Sequence, residues 1–322
     1  MMMAYQQSAA LKAAVEIDLF SAIGEGNQTA QALAQRCQAS ERGVRILADF
    51  FCVYGMLTKD GARYSLSPDA ALFLDRKSPA YMGGMTGFLG AKNIRSQFDS
   101  LTEAVRKGGV AATAAGSTED EYEGWVDFAH SMEAMMGPAA QQIAAMVNGG
   151  KSEPLEVLDV AASHGMFGFM IAKQNPAARI TALDWENVLA VTRSNAERWG
   201  LSERVTTVAG DAFTVDLAGP YDVILLTNLL HHFDHAANVR LLKRMKAALK
   251  PGGRVITLEP VPNEDRISPP MPATFSLIML ASTPAGDSYT FAEFERMFAD
   301  AGFASSQLVA LQMSPQSVII SV

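Results

Sequence analysis

Two periodicities divide the chain. Leu11, Val15, Leu19, Ala22 and Ile23 recur at helical spacing and give one apolar stripe near the start. Thr29 can cap a short helix carrying Leu33, and Ser40 the next, with Val44, Leu47, Phe51 and Tyr54 inward. Leu57 to Leu66 alternates around an Asp60-Gly61 pair, which predicts a hairpin. Helices followed by a hairpin predict a winged helix over residues 1–90. Residues 91–150 read as a mostly helical connector, interrupted by an exposed loop from Gly108 to Gly116. Met132, Met135, Met136 and Met146 crowd its last helix; such methionine stripes are more often core filler than ligand contacts, though the side chain adapts to either.

From residue 151 the pattern becomes α/β. Apolar runs at Leu155–Ala161, Ile180–Asp184, Val205–Ala209, Tyr221–Thr227 and Arg254–Glu259 alternate with helical segments, which predicts a parallel sheet covered on both faces. Lys250-Pro251-Gly252-Gly253 ends a helix and starts a strand, and Gln307–Met313 and Ser317–Val322 supply two last strands.

Composition narrows the class. The chain has 322 residues, with 26 basic and 34 acidic side chains and a net charge of −8. That balance argues against nucleic-acid or anionic-membrane binding. Between Gln28 and Asp75, five basic residues face five acidic ones, so the winged helix is better suited to subunit pairing than to DNA. Two cysteines, Cys37 and Cys52, exclude a disulfide framework. Lys12, Glu16 and Asp18 interrupt the first segment, so no targeting sequence is expected, and no run reaches the ~18 apolar residues of a membrane helix. A cytoplasmic protein is expected.

Ligands of such sheets bind beyond the carboxyl ends of the strands. There the first α/β strand runs into Asp159-Val160-Ala161-Ala162-Ser163-His164-Gly165, whose small residues permit close backbone approach. Asp184 ends the next strand and can accept from ribose hydroxyls. Asp211 and Phe213 follow the third, suited to an adenine amino group and ring face. Together they point to an adenosine-type ligand, while the Gly-x-Gly-x-x-Gly of dinucleotide enzymes is absent.

With these motifs, residues 8–322 resemble the small-molecule O-methyltransferases of the caffeic acid and hydroxyindole type. The resemblance implies a winged-helix dimerisation domain, hence a homodimer. It also implies a class I, Rossmann-like methyltransferase domain with a mostly parallel seven-stranded sheet, using S-adenosyl-L-methionine and releasing S-adenosyl-L-homocysteine. Ala161, Ser163 and Gly165 occupy the family's glycine loop, Asp184 the ribose-binding acid, and Trp185 the adenine border. Asp211, Ala212 and Phe213 match the second cofactor motif, and Thr227 lies where relatives carry a longer polar or basic residue. Ala and Ser in place of glycine are expected to alter the loop's geometry.

Leu229-Leu230-His231-His232-Phe233-Asp234 resembles the family's Leu-His-Asp-Trp-Asp motif, with His232 in place of Asp. An imidazole titrates near neutral pH and can take a hydroxyl proton. By resemblance His231 is the general base and Glu259 its orienting carboxylate, while Ser288 replaces a second flanking glutamate and Asp287 lies nearby. Phe128 and Met132 match acceptor-flanking positions; Trp125, His232 and Met279 are read as their companions in an apolar pocket for a flat ring. His231 and His235 share an i, i+4 spacing that can place two metal ligands on one helical face, but no third ligand is evident and no metal is expected. The expected function is O-methylation of a small aromatic or related secondary metabolite. The alternatives are carbon or nitrogen methylation of a small molecule, or a non-catalytic S-adenosylmethionine-binding regulator.

Overall fold

The structure, a computed structural model, describes residues 2–150 and 152–322; Met1 and Lys151, which begin the first and third expected segments, lie outside them. The hairpin is β1 (Leu57–Asp60) and β2 (Arg63–Leu66). Asp60 pairs with Arg63, so the tight turn is Gly61-Ala62 rather than Asp60-Gly61. Thr29 and Ser40 cap as expected, accepting from Ala32 N and Gly43 N at 3.2 and 3.1 Å. Leu33, Val44, Phe51, Leu57 and Tyr64 form the core of this part. Two expectations fail here. The first apolar stripe is split between helices Ala4–Glu16 and Leu19–Gly24, because Asp18 turns left-handed (φ 57°). Tyr54 is 50% exposed, since the helix Glu41–Val53 ends before it.

The later apolar runs become one sheet. Its strands are β3 (Leu155–Val160), β4 (Ala178–Asp184), β5 (Val205–Ala209), β6 (Tyr221–Thr227), β7 (Leu249–Glu259), β8 (Ser306–Ala310) and β9 (Ser317–Ser321), in the order β5-β4-β3-β6-β7-β9-β8. β3 to β7 are parallel, but β9 runs antiparallel to both β7 and β8. The sheet is therefore seven-stranded and mostly parallel, as the resemblance implies, but not parallel throughout: residues 311–316 between β8 and β9 are too few for the crossover that parallel neighbours require. Leu158, Val160, Ile224, Leu226, Leu242, Phe294 and Phe298 fill its main core.

The order reverses at β3, with β4 and β5 on one side and β6 and β7 on the other, so the carboxyl ends of these strands converge on one edge. The chain separates into two compact units, one running to Lys92 and the other Asn93–Val322. The helical segment after Lys92 belongs with the sheet.

The Gly/Ala-rich interruption is not simply an exposed loop. Ala112 to Ala114 are exposed, but Gly109, Val110 and Gly116 are buried. Val110 N donates to Thr283 O at 2.8 Å. At Gly116 (φ +61°) a Cβ would lie 2.1 Å from Ser282 O, so only glycine permits this approach. Among the described residues, no helix is long and apolar enough to cross a membrane.

Candidate active site

β6 ends at Thr227, and the chain turns through Asn228 into a short 3₁₀ turn, Leu230–His232. The register that sets Thr227 beside Leu258 brings Glu259, the last residue of β7, against this turn. Glu259 is fully buried, and the hydrogen bonds of its carboxylate go to Leu229, Leu230 and His231. Oε1 accepts from Leu229 N at 3.1 Å and Leu230 N at 2.8 Å, and Oε2 lies 2.5 Å from His231 Nδ1. A carboxylate only accepts, so Nδ1 carries the hydrogen, and in the neutral ring it is Nε2 that has the lone pair. His231 is 3% exposed, and its Nε2 has no hydrogen-bond partner among the described residues.

The segment after residue 282 closes the back of the turn. Asp287 N donates to His231 O at 3.0 Å, and a Cβ on Gly286 would lie 2.2 Å from that same oxygen. Ser288, in the place of a second glutamate, does not reach the imidazole; its Oγ donates to Pro260 O at 2.7 Å. The Asp287 carboxylate also points its bonds elsewhere, to Ser288 N and to Arg266 at 3.1 Å.

The other end of the site is the loop after β3. Ala161 and Ser163 hold left-handed conformations (φ 55° and 54°), as does Gly165 (φ 79°). Glycine adopts these freely and other residues at roughly 1 kcal/mol each. Glycine-type geometry is thus kept at these positions in spite of the side chains.

Asp184 anchors the loop. Its Oδ2 accepts from Ser163 N and its Oδ1 from Trp185 N, both at 2.8 Å. Each oxygen retains a lone pair for a ligand hydroxyl. Burial pushes the Asp184 carboxyl up to about 6, against the pull of those two N–H groups. Asp159 is fully buried, accepts from Gly168 N at 3.0 Å, and is pushed up to about 7 by burial, with Asp184 adding to the rise. Asp159 Oδ1, Ser163 Oγ and His164 Nε2 are buried with no partner among the described residues. An unpaired buried polar group costs about 1–3 kcal/mol. Small residues, left-handed backbone, two acids and orphaned polar atoms together fit a hydroxyl-rich, cationic ligand such as S-adenosylmethionine.

Asp211 folds onto its own turn, accepting from Phe213 N at 2.9 Å. The Phe213 ring meets Phe233, next to the histidine pair, at 5.0 Å. Ala212 packs against the main core, and Thr227 is buried at the end of β6. Trp185 packs with Trp125, Val126, Ala129, Val188 and Val191.

Rings join the two ends. His164 stacks on Phe128 (6.2 Å), Phe128 meets Trp125 (5.9 Å), Trp125 meets His232 (5.0 Å), His232 meets His231 (4.3 Å), and His231 meets Phe275 (4.9 Å). Met132, at the junction of helices Gly124–Ser131 and Glu133–Asn148, and Met279, on helix Pro270–Ser282, are buried in the same unit. Sequence reasoning missed Ser117 and the part played by His164. His164 stood inside the loop motif and its type was a signal. Ser117 had none, since only the fold brings it to His232.

His231 and His235 do not share a helical face. Asp234 caps the helix His235–Ala247, so His231 lies before it, and His235 Nε2 is 2.9 Å from Asp300. Among the described residues, no His/Cys/Asp/Glu group is arranged to hold a metal.

Comparison with known proteins places the chain in a family. Residues 99–304 match the O-methyltransferase domain family and residues 1–76 the O-methyltransferase dimerisation domain. The tetracenomycin polyketide synthesis 8-O-methyl transferase TcmO of Streptomyces glaucescens is 29% identical, over 96% of this chain and 91% of its own length. The crystal structure of a candidate O-methyltransferase from Nostoc punctiforme is 49% identical, with a TM-score of 0.95, covering 99% of this chain and 96% of that one. PigF, solved with S-adenosylhomocysteine and known from Serratia, is 25% identical, with a TM-score of 0.87, covering 99% of this chain and 96% of that one. The chain belongs to the S-adenosylmethionine-dependent small-molecule O-methyltransferase family, in the type that joins a dimerisation domain to the methyltransferase domain.

Proposed function

We propose that the chain methylates a hydroxyl of a small, flat, aromatic secondary metabolite, with His231 as general base and Glu259 as its positioning carboxylate. The observation that carries this reading is the 2.5 Å contact between His231 Nδ1 and Glu259, which turns Nε2 away from the carboxylate and leaves it unpartnered among the described residues. When bound, S-adenosylmethionine supplies a methyl group on a sulfonium. Asp184 would hold the ribose hydroxyls, and Asp211 and Phe213 the adenine, with Trp185 at its border. Ala161, Ser163, Gly165, Ala212 and Thr227 form the remaining wall.

His231 Nε2 takes the hydroxyl proton as the oxygen gains the methyl group, and Glu259 stabilises the resulting imidazolium. Holding donor and hydroxyl in line is worth about 7–11 kcal/mol at best, and the base about 10²–10⁴-fold. The ring arc of Phe128, Trp125, His232 and Phe275, with Met132 and Met279, is the acceptor's wall and suits an aromatic plane. We assign residues 1–90 to dimerisation, 91–150 to a connector that contributes to the pocket, and 151–322 to methyl transfer. A groove of about 410 Å³ in the N-terminal unit, lined by Ala10, Ile17, Val44, Ile46, Leu47 and Phe50, supports a homodimer.

Replacing His231 by Ala tests the central role. Turnover falls by about 10²–10⁴-fold while donor binding by calorimetry is unchanged. Undiminished turnover removes His231 from the mechanism.

A further inference from the structure

We propose that His232 is a specificity-determining residue: a second imidazole with its Nε2 lone pair beside that of His231, selecting acceptors with another O–H or N–H donor next to the reacting hydroxyl. This rests on the reading of His231 given above.

The tautomer follows from Ser117. Its hydroxyl has one hydrogen. Ser117 Oγ lies 3.2 Å from Ser282 O and 3.4 Å from His232 Nδ1. A carbonyl can only accept, so Ser117 gives its hydrogen to Ser282, and Nδ1 supplies the hydrogen of the other contact. Ser117 is itself fixed, since Trp125 Nε1 donates to its carbonyl at 3.0 Å and the neighbouring Gly116 is pressed against Ser282. Trp125 also covers an edge of the His232 ring at 5.0 Å. Burial, and His231 beside it, hold the His232 imidazole well below the usual histidine range, so the ring is neutral with one bare nitrogen. That nitrogen is Nε2.

His232 is 8% exposed, yet its Nε2 is neither hydrogen-bonded nor sealed among the described residues, and the same holds for His231. The two ring centroids are 4.3 Å apart. Glu259 fixes one ring and Ser117 the other in the same tautomer, and the site offers two neighbouring acceptors. A lone hydroxyl satisfies one of them. A hydroxyl beside a carbonyl sets lone pair against lone pair. Two adjacent donors satisfy both.

The test compares a naphthalene diol with adjacent hydroxyls, the mono-naphthol, and an ortho-hydroxy naphthyl ketone as acceptors. The diol is expected to exceed the mono-naphthol in kcat/KM by roughly ten-fold or more, with the ketone lowest. His232→Phe brings the diol-to-naphthol ratio toward one, and Ser117→Ala lowers it in part. Donor calorimetry on each variant checks that it folds. In ¹⁵N-histidine NMR, His232, assigned by the signals lost in His232→Phe, shows a protonated Nδ1 and a bare Nε2. A protonated Nε2, or a ratio that His232→Phe leaves unaltered, overturns the proposal. If no acceptor is methylated, the reading of the acceptor class fails, while the NMR still decides the tautomer.

Discussion

At the two ends of the candidate site, buried acids are treated differently. Glu259, at the acceptor end, accepts three hydrogen bonds, two from the backbone and one from His231. The imidazole and carboxylate proposed as base and orienter are already in contact without a ligand. At the donor end, Asp159 in β3 and Asp184 at the end of β4 border a loop, three polar atoms there (Asp159 Oδ1, Ser163 Oγ and His164 Nε2) are orphaned, and burial pushes both carboxyls up. One end is preorganised, as a group that acts on a proton must be. The other is left in deficit, and a ligand with hydroxyls and positive charge makes good part of it. Variants at the two ends should separate accordingly, those at Glu259 changing rate and those at Asp184 changing affinity.

The largest expected effect is from Glu259→Gln. Glutamine keeps its oxygen on Leu229 N and Leu230 N and presents its NH₂ to the imidazole. Nδ1 must then accept, so the hydrogen moves to Nε2 and the base is lost. Turnover should fall by about 10²–10⁴-fold, with donor affinity and melting temperature nearly unchanged. A large loss of donor affinity would break the separation between the two ends.

Asp184→Asn should act in the opposite manner. The expected loss is roughly ten-fold in donor affinity, the value of one hydrogen bond to a charged group. pH supplies a sharper test. In the native protein without donor, the Asp184 carboxyl is raised to about 6. Between the ordinary Asp range near 4 and about 6, the folded chain holds a proton that the unfolded chain has lost. This group's share of stability therefore falls as pH rises through that window and is level above it. Ribose hydroxyls donate to the ionised form, so donor affinity should rise with pH through about 6 and then flatten. Asp159, raised to about 7, broadens the upper part of the step. Calorimetry from pH 5 to 8 checks it, and a wild-type profile that Asp184→Asn leaves unchanged counts against Asp184 as the titrating group.

How legible each end was in the sequence follows from the range of the interactions. Asp184 and Glu259 end strands, and a strand's end is readable because an apolar run stops there. His231 was readable from a local motif. The parallel order of β3 to β7 was readable from alternation with helices. The reversal of β9 depended on a short loop that alternation does not weigh. Ser117 directly follows the segment Gly108 to Gly116, whose composition suggests an exposed loop. Its burial comes from backbone contacts at Ser282 and Thr283, more than 160 residues away, and no local pattern encodes such a contact. The split of the first helical stripe is similar, for periodicity is continuous across Asp18 while the backbone is not.

The smallest expected effect concerns the donor loop itself. Ala161 and Ser163 hold left-handed backbone where the family usually has glycine. Returning both to glycine relieves roughly 1 kcal/mol of strain at each position. It also raises the entropy of the unfolded chain, which costs about 0.4–1 kcal/mol per residue. The two nearly cancel, and chemical denaturation of the Ala161→Gly/Ser163→Gly variant should show stability within about 1 kcal/mol of the parent. Removing Ser163 Oγ also removes an orphaned polar atom, which favours the variant slightly. The Asp184 bond to Ser163 N is to backbone and survives, so donor affinity should move by less than it does in Asp184→Asn. If the double variant instead loses most of its donor affinity, the Ser163 hydroxyl is itself a donor-binding group, and the loop's deficit is met by that side chain more than by the acids.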